Sequence, residues 1–178
     1  MLDYLMVYHT EQGFDLPSLL NDDYFRAIKL LYNNKHYVSA MKLLMSFLDT
    51  VGYLEFGDRH GNFLLWLAAY ADLSQVGVTA EELWELRNSL LHMTNLDSRK
   101  VKARKVQRLL FYVGIPPSDF PTGDEEGKYF GLWQFIQCIL EAMSRYCASF
   151  NAEPSKSTTF FKRYDRIISD TRYFKIHL

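Results

Sequence analysis

Residues 79–93 read TAEELWELRNSLLHM, and this stretch decides the fold class. Thr79 is an N-cap residue, and Glu82 three positions on completes a capping box. Glu81 and Glu82 fill the first turn, where the positive end of the helix dipole favours carboxylates. On a wheel of about 100° per residue, Leu83, Trp84, Leu86, Leu90, Leu91 and Met93 fall around Arg87. The spacing predicts an amphipathic helix with Arg87 projecting from the middle of its apolar face. Asn88 and His92 are i,i+4 neighbours at the edge of that face, next to Glu85. The polar run 95–98 (NLDS) ends the helix.

Working outward, the same 3.6-residue periodicity recurs. Asn21 and Asp22 cap a helix near 22–33 with Phe25, Ile28 and Leu31 or Tyr32 inward. After the turn Asn33-Asn34-Lys35, residues 36–50 repeat Val38, Met41, Leu44 or Met45 and Leu48 at helical spacing. Gly52 and Gly57 loosen the chain beyond residue 50. The run NFLLWLAAYA within 60–72 is nearly all apolar and predicts the central buried helix. A long helix fits 128–150, and a charged amphipathic segment covers 158–170 after a short linker at 154–157. Residues 99–113 read equally as helix or strand, and 119–127 is a polar loop. Gly13 to Pro17 breaks the pattern after an apolar start. The expectation is an all-α bundle of four to five helices, with short β additions allowed. It comprises an N-terminal arm (1–21), the bundle (22–150), and a C-terminal segment and tail (151–178) packed on the same domain.

The chain has 178 residues, enough to bury a core without metals or disulfides. Hydrophobic residues make up 48% and charged residues 23%, which excludes a disordered chain. The net charge of −1 excludes a globally basic nucleic-acid binder but leaves room for a local basic patch. Cys138 and Cys147, on one helix, lie about 13 Å apart along its axis, too far for a disulfide. Scarce cysteine favours a reducing compartment. The five histidines show no zinc spacing, so neither metal nor cofactor is expected. The longest apolar run, 63–71, is too short to span a bilayer, and the start MLDYLMVY lacks a basic leader region. These features predict a cytoplasmic protein with no membrane partner.

A permanently charged guanidinium on an apolar helix face is costly unless something meets it: a carboxylate, a partner chain or a phosphate. His moves protons near neutral pH, Asn orients or donates, and Arg is the best planar donor to phosphate oxygens. Together Arg87, Asn88 and His92 suit metal-free attack on a phosphodiester. His92 would take the proton from a nucleophile and Arg87 would neutralise the charge building on the phosphoryl oxygens. Without a metal to activate water, the natural nucleophile is the 2′-hydroxyl of RNA itself, and the product a 2′,3′-cyclic phosphate.

Arg87-Asn88-Ser89-Leu90-Leu91-His92, near the end of a helix in a small helical bundle, resembles the HEPN superfamily (higher eukaryotes and prokaryotes nucleotide-binding). Its signature is R-x4–6-H, usually with a polar residue after the Arg. The resemblance covers roughly residues 22–150. It implies a metal-independent endoribonuclease, a hydrolase of toxin or antiviral-defence type. It also implies a homodimer formed through the motif helix, RNA as substrate, and an antitoxin or other neutralising partner. Arg87, Asn88 and His92 would be the catalytic residues. A second match to the pattern, Arg172 to His177, has Tyr after the Arg and a β-prone aromatic run, and is set aside.

Other readings stand beside this one. Arg87 also fits an ion pair with a core carboxylate, and His92 fits a helix-end histidine favoured by the dipole. Glu85 either orients His92 or faces solvent. The run RKVKARKVQR (99–108) holds six basic side chains and no acid. It is either a solvated face or an RNA-backbone surface in which Arg99, Lys100, Lys102, Arg104 and Lys105 hold phosphates. Trp66, Trp84 and Trp133 read as core, with Trp84 also placed for a dimer interface. The alternatives at the level of function are a non-catalytic HEPN-like module that binds a nucleotide or partner, and an unrelated helical interaction protein.

Overall fold

The computed structural model describes residues 3–11, 13–93, 98–125 and 127–167. The second pattern match at 172–177, the C-terminal tail and most of the 95–98 stop lie outside these residues. The chain is mostly helical. In order, α1 (Leu16–Leu20), a π-helical turn (Asn21–Phe25) and α2 (Arg26–Asn33) form one continuous helical run. Then come α3 (Tyr37–Phe56), α4 (Asn62–Tyr70), α5 (Ala80–Asn88) with a second π-helical turn (Ser89–Met93), and the short α6 (Arg99–Lys102). α7 (Leu132–Ala152) and α8 (Ser155–Ile167) complete the helices. Two small sheets accompany them. β1 (His9–Thr10) pairs antiparallel with β2 (Gly13–Phe14), and β3 (Leu109–Tyr112) pairs parallel with β4 (Lys128–Gly131).

The first helix begins at Leu16, well before the expected start at 22. Asp15 is the real N-cap, accepting from the Ser18 backbone N–H at 3.0 Å and the Ser18 hydroxyl at 2.7 Å. Pro17 does not break the pattern but sits in the first turn, where its missing N–H costs nothing. Leu16, Leu19 and Leu20 are thereby buried in the common core.

The centre of the molecule is α3, not the 60–72 helix. Along α3, Ala40, Met41, Leu44, Met45, Phe47, Leu48, Val51 and Leu54 are all buried. On α4, Phe63, Trp66 and Leu67 point inward, but Ala68 and Ala69 are exposed. Gly52 does not loosen α3, which runs straight through it to Phe56. A Cβ there would lie 3.0 Å from the carbonyl carbon and oxygen of Asn62, so the glycine lets the start of α4 press backbone to backbone against α3.

The undecided stretch 99–113 splits in two: Ser98 caps α6, and strand β3 comes after a turn. The long helix expected from 128 starts at Leu132, because 128–131 pair with β3. Gly127 makes that pairing feasible. At φ +155° its hypothetical Cβ would meet the Arg108 carbonyl oxygen at 2.5 Å, and the Lys128 N–H donates to that same oxygen at 2.8 Å. Within the expected linker at 154–157, α8 already begins at Ser155, leaving only Pro154 as a turn.

α8 is fastened to α3. Lys156 Nζ reaches Glu55 at 2.6 Å and donates to Tyr70 Oη and Ser149 Oγ. Arg163 donates to the carbonyls of Leu54 and Glu55 near the end of α3. Cys138 and Cys147 are free thiols. Trp66 and Trp84 pack in or against the core as expected. Trp133 is 36% exposed and instead packs at a tilt against Tyr32, ring centroids 5.0 Å apart. Among the described residues, no helix is long and apolar enough to cross a membrane.

Candidate active site at the end of the motif helix

The helix at 79 starts as the sequence predicts. Thr79 accepts from the Glu82 N–H at 3.2 Å, and the Glu82 carboxylate accepts from the Thr79 N–H at 2.7 Å. Glu82 is also held by Lys128 at 3.1 Å, which ties the helix start to β4.

The helix changes its winding at Ser89. Residues up to Asn88 are α-helical, and Ser89–Met93 are π-helical. The Ser89 hydroxyl donates to the Glu85 carbonyl at 2.9 Å, a side-chain bond of the kind that bends helices. The switch matters for the motif. Five α-helical residues rotate through about 500°, leaving Arg87 and His92 roughly 140° apart on the wheel. A π turn bonds i to i+5, so residues five apart come onto nearly one face. Arg87 Nη1 and His92 Nε2 are accordingly 2.6 Å apart. Guanidinium nitrogens only donate, so in this contact His92 Nε2 is the acceptor. The same Nη1 donates to Asn88 Oδ1 at 3.0 Å. Thus Arg87, Asn88 and His92 form one hydrogen-bonded group.

Arg87 has a further partner on α3. Its Nε donates to both oxygens of Asp49, at 3.0 and 2.8 Å, and Nη2 lies 2.6 Å from Oδ2. The guanidinium also rests over the Trp84 ring, 5.1 Å from its centroid. The cost of placing a cation on this face is met by a carboxylate and an indole. The burial is partial: the Arg87 side chain is 17% exposed, Asp49 27%, and His92 lies on the surface. Asp49 therefore engages one edge of the fork, leaving Nη1 for Asn88 and for the exposed His92.

Sequence reasoning does not find Asp49, because it lies 38 residues from Arg87. A signal is nonetheless present. Asp49 and Glu55 are the only acids in the largely apolar stretch 37–56, and each meets a cation from another helix: Arg87 and Lys156.

Glu85 neither orients His92 nor faces solvent. It is 5% exposed and pairs with Lys100 at 3.2 Å. That ion pair docks α6 on the motif helix and removes Lys100 from the set of uncommitted basic side chains. Arg99, Lys102, Arg104 and Lys105 are exposed. Arg104 and Lys105, with Arg108, line a cleft of about 670 Å³ faced by Asp124 and Glu125. Arg87, Asn88 and His92 are not among its lining residues, and neither are Arg99, Lys100 and Lys102. The basic run is therefore divided: one lysine fixes the site's helix and the later residues form a cleft of their own. Among the described residues, no three of His, Cys, Asp and Glu converge as metal ligands.

Comparison of the chain with protein-family models, with curated proteins and with solved structures finds no match.

Proposed function

We propose that this protein is a metal-independent endoribonuclease of HEPN type that cleaves RNA through its own 2′-hydroxyl. The observation that carries the reading is the convergence on Arg87 Nη1 of Asn88 and His92, at a surface-facing edge, with Asp49 holding the opposite edge of the same guanidinium. A phosphodiester oxygen arriving at Nη1 takes the place of His92 Nε2 as acceptor. That frees the imidazole lone pair beside the bound phosphate. His92 then takes the 2′-hydroxyl proton as the 2′-oxygen attacks phosphorus, and the bond to the 5′-oxygen breaks. The proton that His92 has taken is then returned to the departing 5′-oxygen, so the imidazole ends the step neutral. Arg87 offsets the charge that develops on the phosphoryl oxygens, the usual role of a fixed donor in such a step. Trp84 and Leu91 remain half-buried on the same helix, leaving apolar surface beside the site for a homodimer. A neutralising partner, such as an antitoxin, belongs to this reading.

The test is cleavage of a broad RNA panel in EDTA by the wild type, Arg87→Ala and His92→Ala, with analysis of product ends. Cleavage that survives chelation, leaves 2′,3′-cyclic phosphate and disappears in both variants is the expected result. No cleavage by folded protein overturns it.

One observation favours a second reading. Asp49, on the same chain and in close contact with Arg87, is the carboxylate partner that a purely structural arginine requires. In that case the chain is a binding or interaction module, and Arg87→Ala changes stability without changing any activity on RNA.

A further inference from the structure

The parallel pair β3–β4 carries a cavity on each side of the loop at 120–125. One is the basic cleft of Arg104, Lys105 and Arg108. The other, about 350 Å³, is walled by the rings of Tyr112, Phe120 and Tyr129, with the amides of Gln75 and Gln134 at its edge. Phe120 is the hub of the second cavity. Its centroid lies 5.3 Å from Tyr112 and 5.3 Å from Tyr129, edge-on to both, and the side chain is 36% exposed.

The two cavities have no lining residue in common but are bridged by a hydrogen bond. Tyr129, in the aromatic cavity, donates its hydroxyl to Asp124 in the basic cleft at 2.8 Å. Asp124 also accepts from the Gly127 N–H, and the Tyr129 N–H donates to the Thr122 carbonyl. The partition is thus a loop bonded to β4, not a free flap.

We infer that this pair of cavities is a binding site for single-stranded RNA, with backbone phosphates in the basic cleft and an unstacked base against Phe120 in the aromatic cavity. Charge selects the occupant: in the cleft three cations outnumber the carboxylates of Asp124 and Glu125, Arg104 and Lys105 are exposed and can track phosphates, and adjacent aromatic rings accept any base by its π-face. Flanking glutamine amides supply donors and acceptors to the base edge without a strong preference. A double helix is disfavoured because its bases are already stacked and paired. The choice of RNA over DNA rests on the ribonuclease reading above; the stacking geometry itself does not.

The experiment measures binding of uncleavable 2′-O-methyl RNA octamers, with bases and with abasic positions, by fluorescence anisotropy. Wild type, Phe120→Leu and the double variant Arg104→Ala/Lys105→Ala are compared after circular dichroism confirms folding. Leu keeps the apolar contact at 120 but removes the ring. Wild type should prefer the base-bearing strand about tenfold, and Phe120→Leu should erase that preference. The double variant should flatten the salt dependence while keeping the base preference. Equal affinity for abasic and base-bearing strands overturns the inference. So does displacement of the RNA by a proline-rich peptide at lower concentration than by free RNA, which would assign the aromatic cavity to a protein ligand. Base-dependent binding without cleavage of ordinary RNA overturns the ribonuclease reading and leaves this site standing. Cleavage without base-dependent binding does the reverse.

Discussion

Removing Asp49 is the most informative perturbation of the site. Two limits bracket its effect. A fully exposed ion pair is worth about 0–1 kcal/mol. Losing one partner of a fully buried pair costs about 3–5 kcal/mol, because the other charge is left uncompensated. The Asp49–Arg87 pair lies between, at 27% and 17% side-chain exposure, but its geometry is close and bidentate. Charge-assisted hydrogen bonds of that kind contribute about 1.5–3 kcal/mol. Asp49→Ala should therefore cost about 2–3 kcal/mol, since Arg87 keeps Asn88, His92 and the Trp84 face. Arg87→Ala should cost about as much, because the stem packed on Trp84 is lost along with the charge. The double variant should then be less unstable than the sum by about 2 kcal/mol, the coupling energy of the pair. Urea denaturation of the four proteins measures it, provided the slope stays constant so that midpoints report stability. A coupling below about 0.5 kcal/mol would refute the reasoning, because it would mean that solvent screens the pair and that Asp49 does not hold the guanidinium.

Two further outcomes rest on packing and burial. Gly52→Ala should destabilise by about 1–2 kcal/mol. The helix-propensity gain of about 1 kcal/mol is outweighed by pressing a methyl against the Asn62 backbone at 3.0 Å; a raised Tm in calorimetry would show that α4 simply moves aside. Burial pushes the Cys147 thiol up to about 12, and burial also raises Cys138 and Tyr146. Each is a neutral acid whose charged form the fold disfavours. Below the unfolded values they contribute no difference, and stability should fall as pH rises from about 9 toward 12. Lys156 acts in the same direction: burial opposes its charge, but bonds to Glu55 and Tyr70 outweigh that and raise its pKa, so its contribution is lost as pH rises through that raised value. Chemical denaturation at about pH 7, 9 and 10.5 should show a monotonic decline, and iodoacetamide should leave Cys147 unmodified at about pH 8; stability that holds or rises above about pH 9 contradicts this.

Much of the helical framework is legible in the sequence because its signals are local. The Thr79–Glu82 capping box involves residues three apart, and the apolar periodicity of 36–50 concerns neighbouring turns. Both depend on contacts that a short segment makes with itself. Pro17 shows the limit of such rules. A proline stops a helix or starts one, and which applies depends on whether Asp15 can cap it. The 60–72 run is the most apolar, which by itself predicts the deepest burial. Position in the fold puts α3 at the centre instead, and leaves Ala68 and Ala69 on the surface.

The candidate site divides along the same line. The residue order alone places Arg87, Asn88 and His92 at one helix end, and requires a partner for a cation on that apolar face. Three features arise only in the folded chain. The identity of the partner depends on how α3 docks, since Asp49 is 38 residues away. The Arg87–His92 contact depends on a π turn, which wins over the α period only once Ser89 and its neighbours are packed in place. The pairing of β3 with β4 joins distant residues in register, Leu109 with Lys128, and places the basic and aromatic cavities on either side of one loop. The physical reason is common to all three. Caps and periodicity are set by interactions within a turn or two, whereas a distant charge, a widened turn and a strand partner are selected by contacts that exist only after the chain has closed on itself.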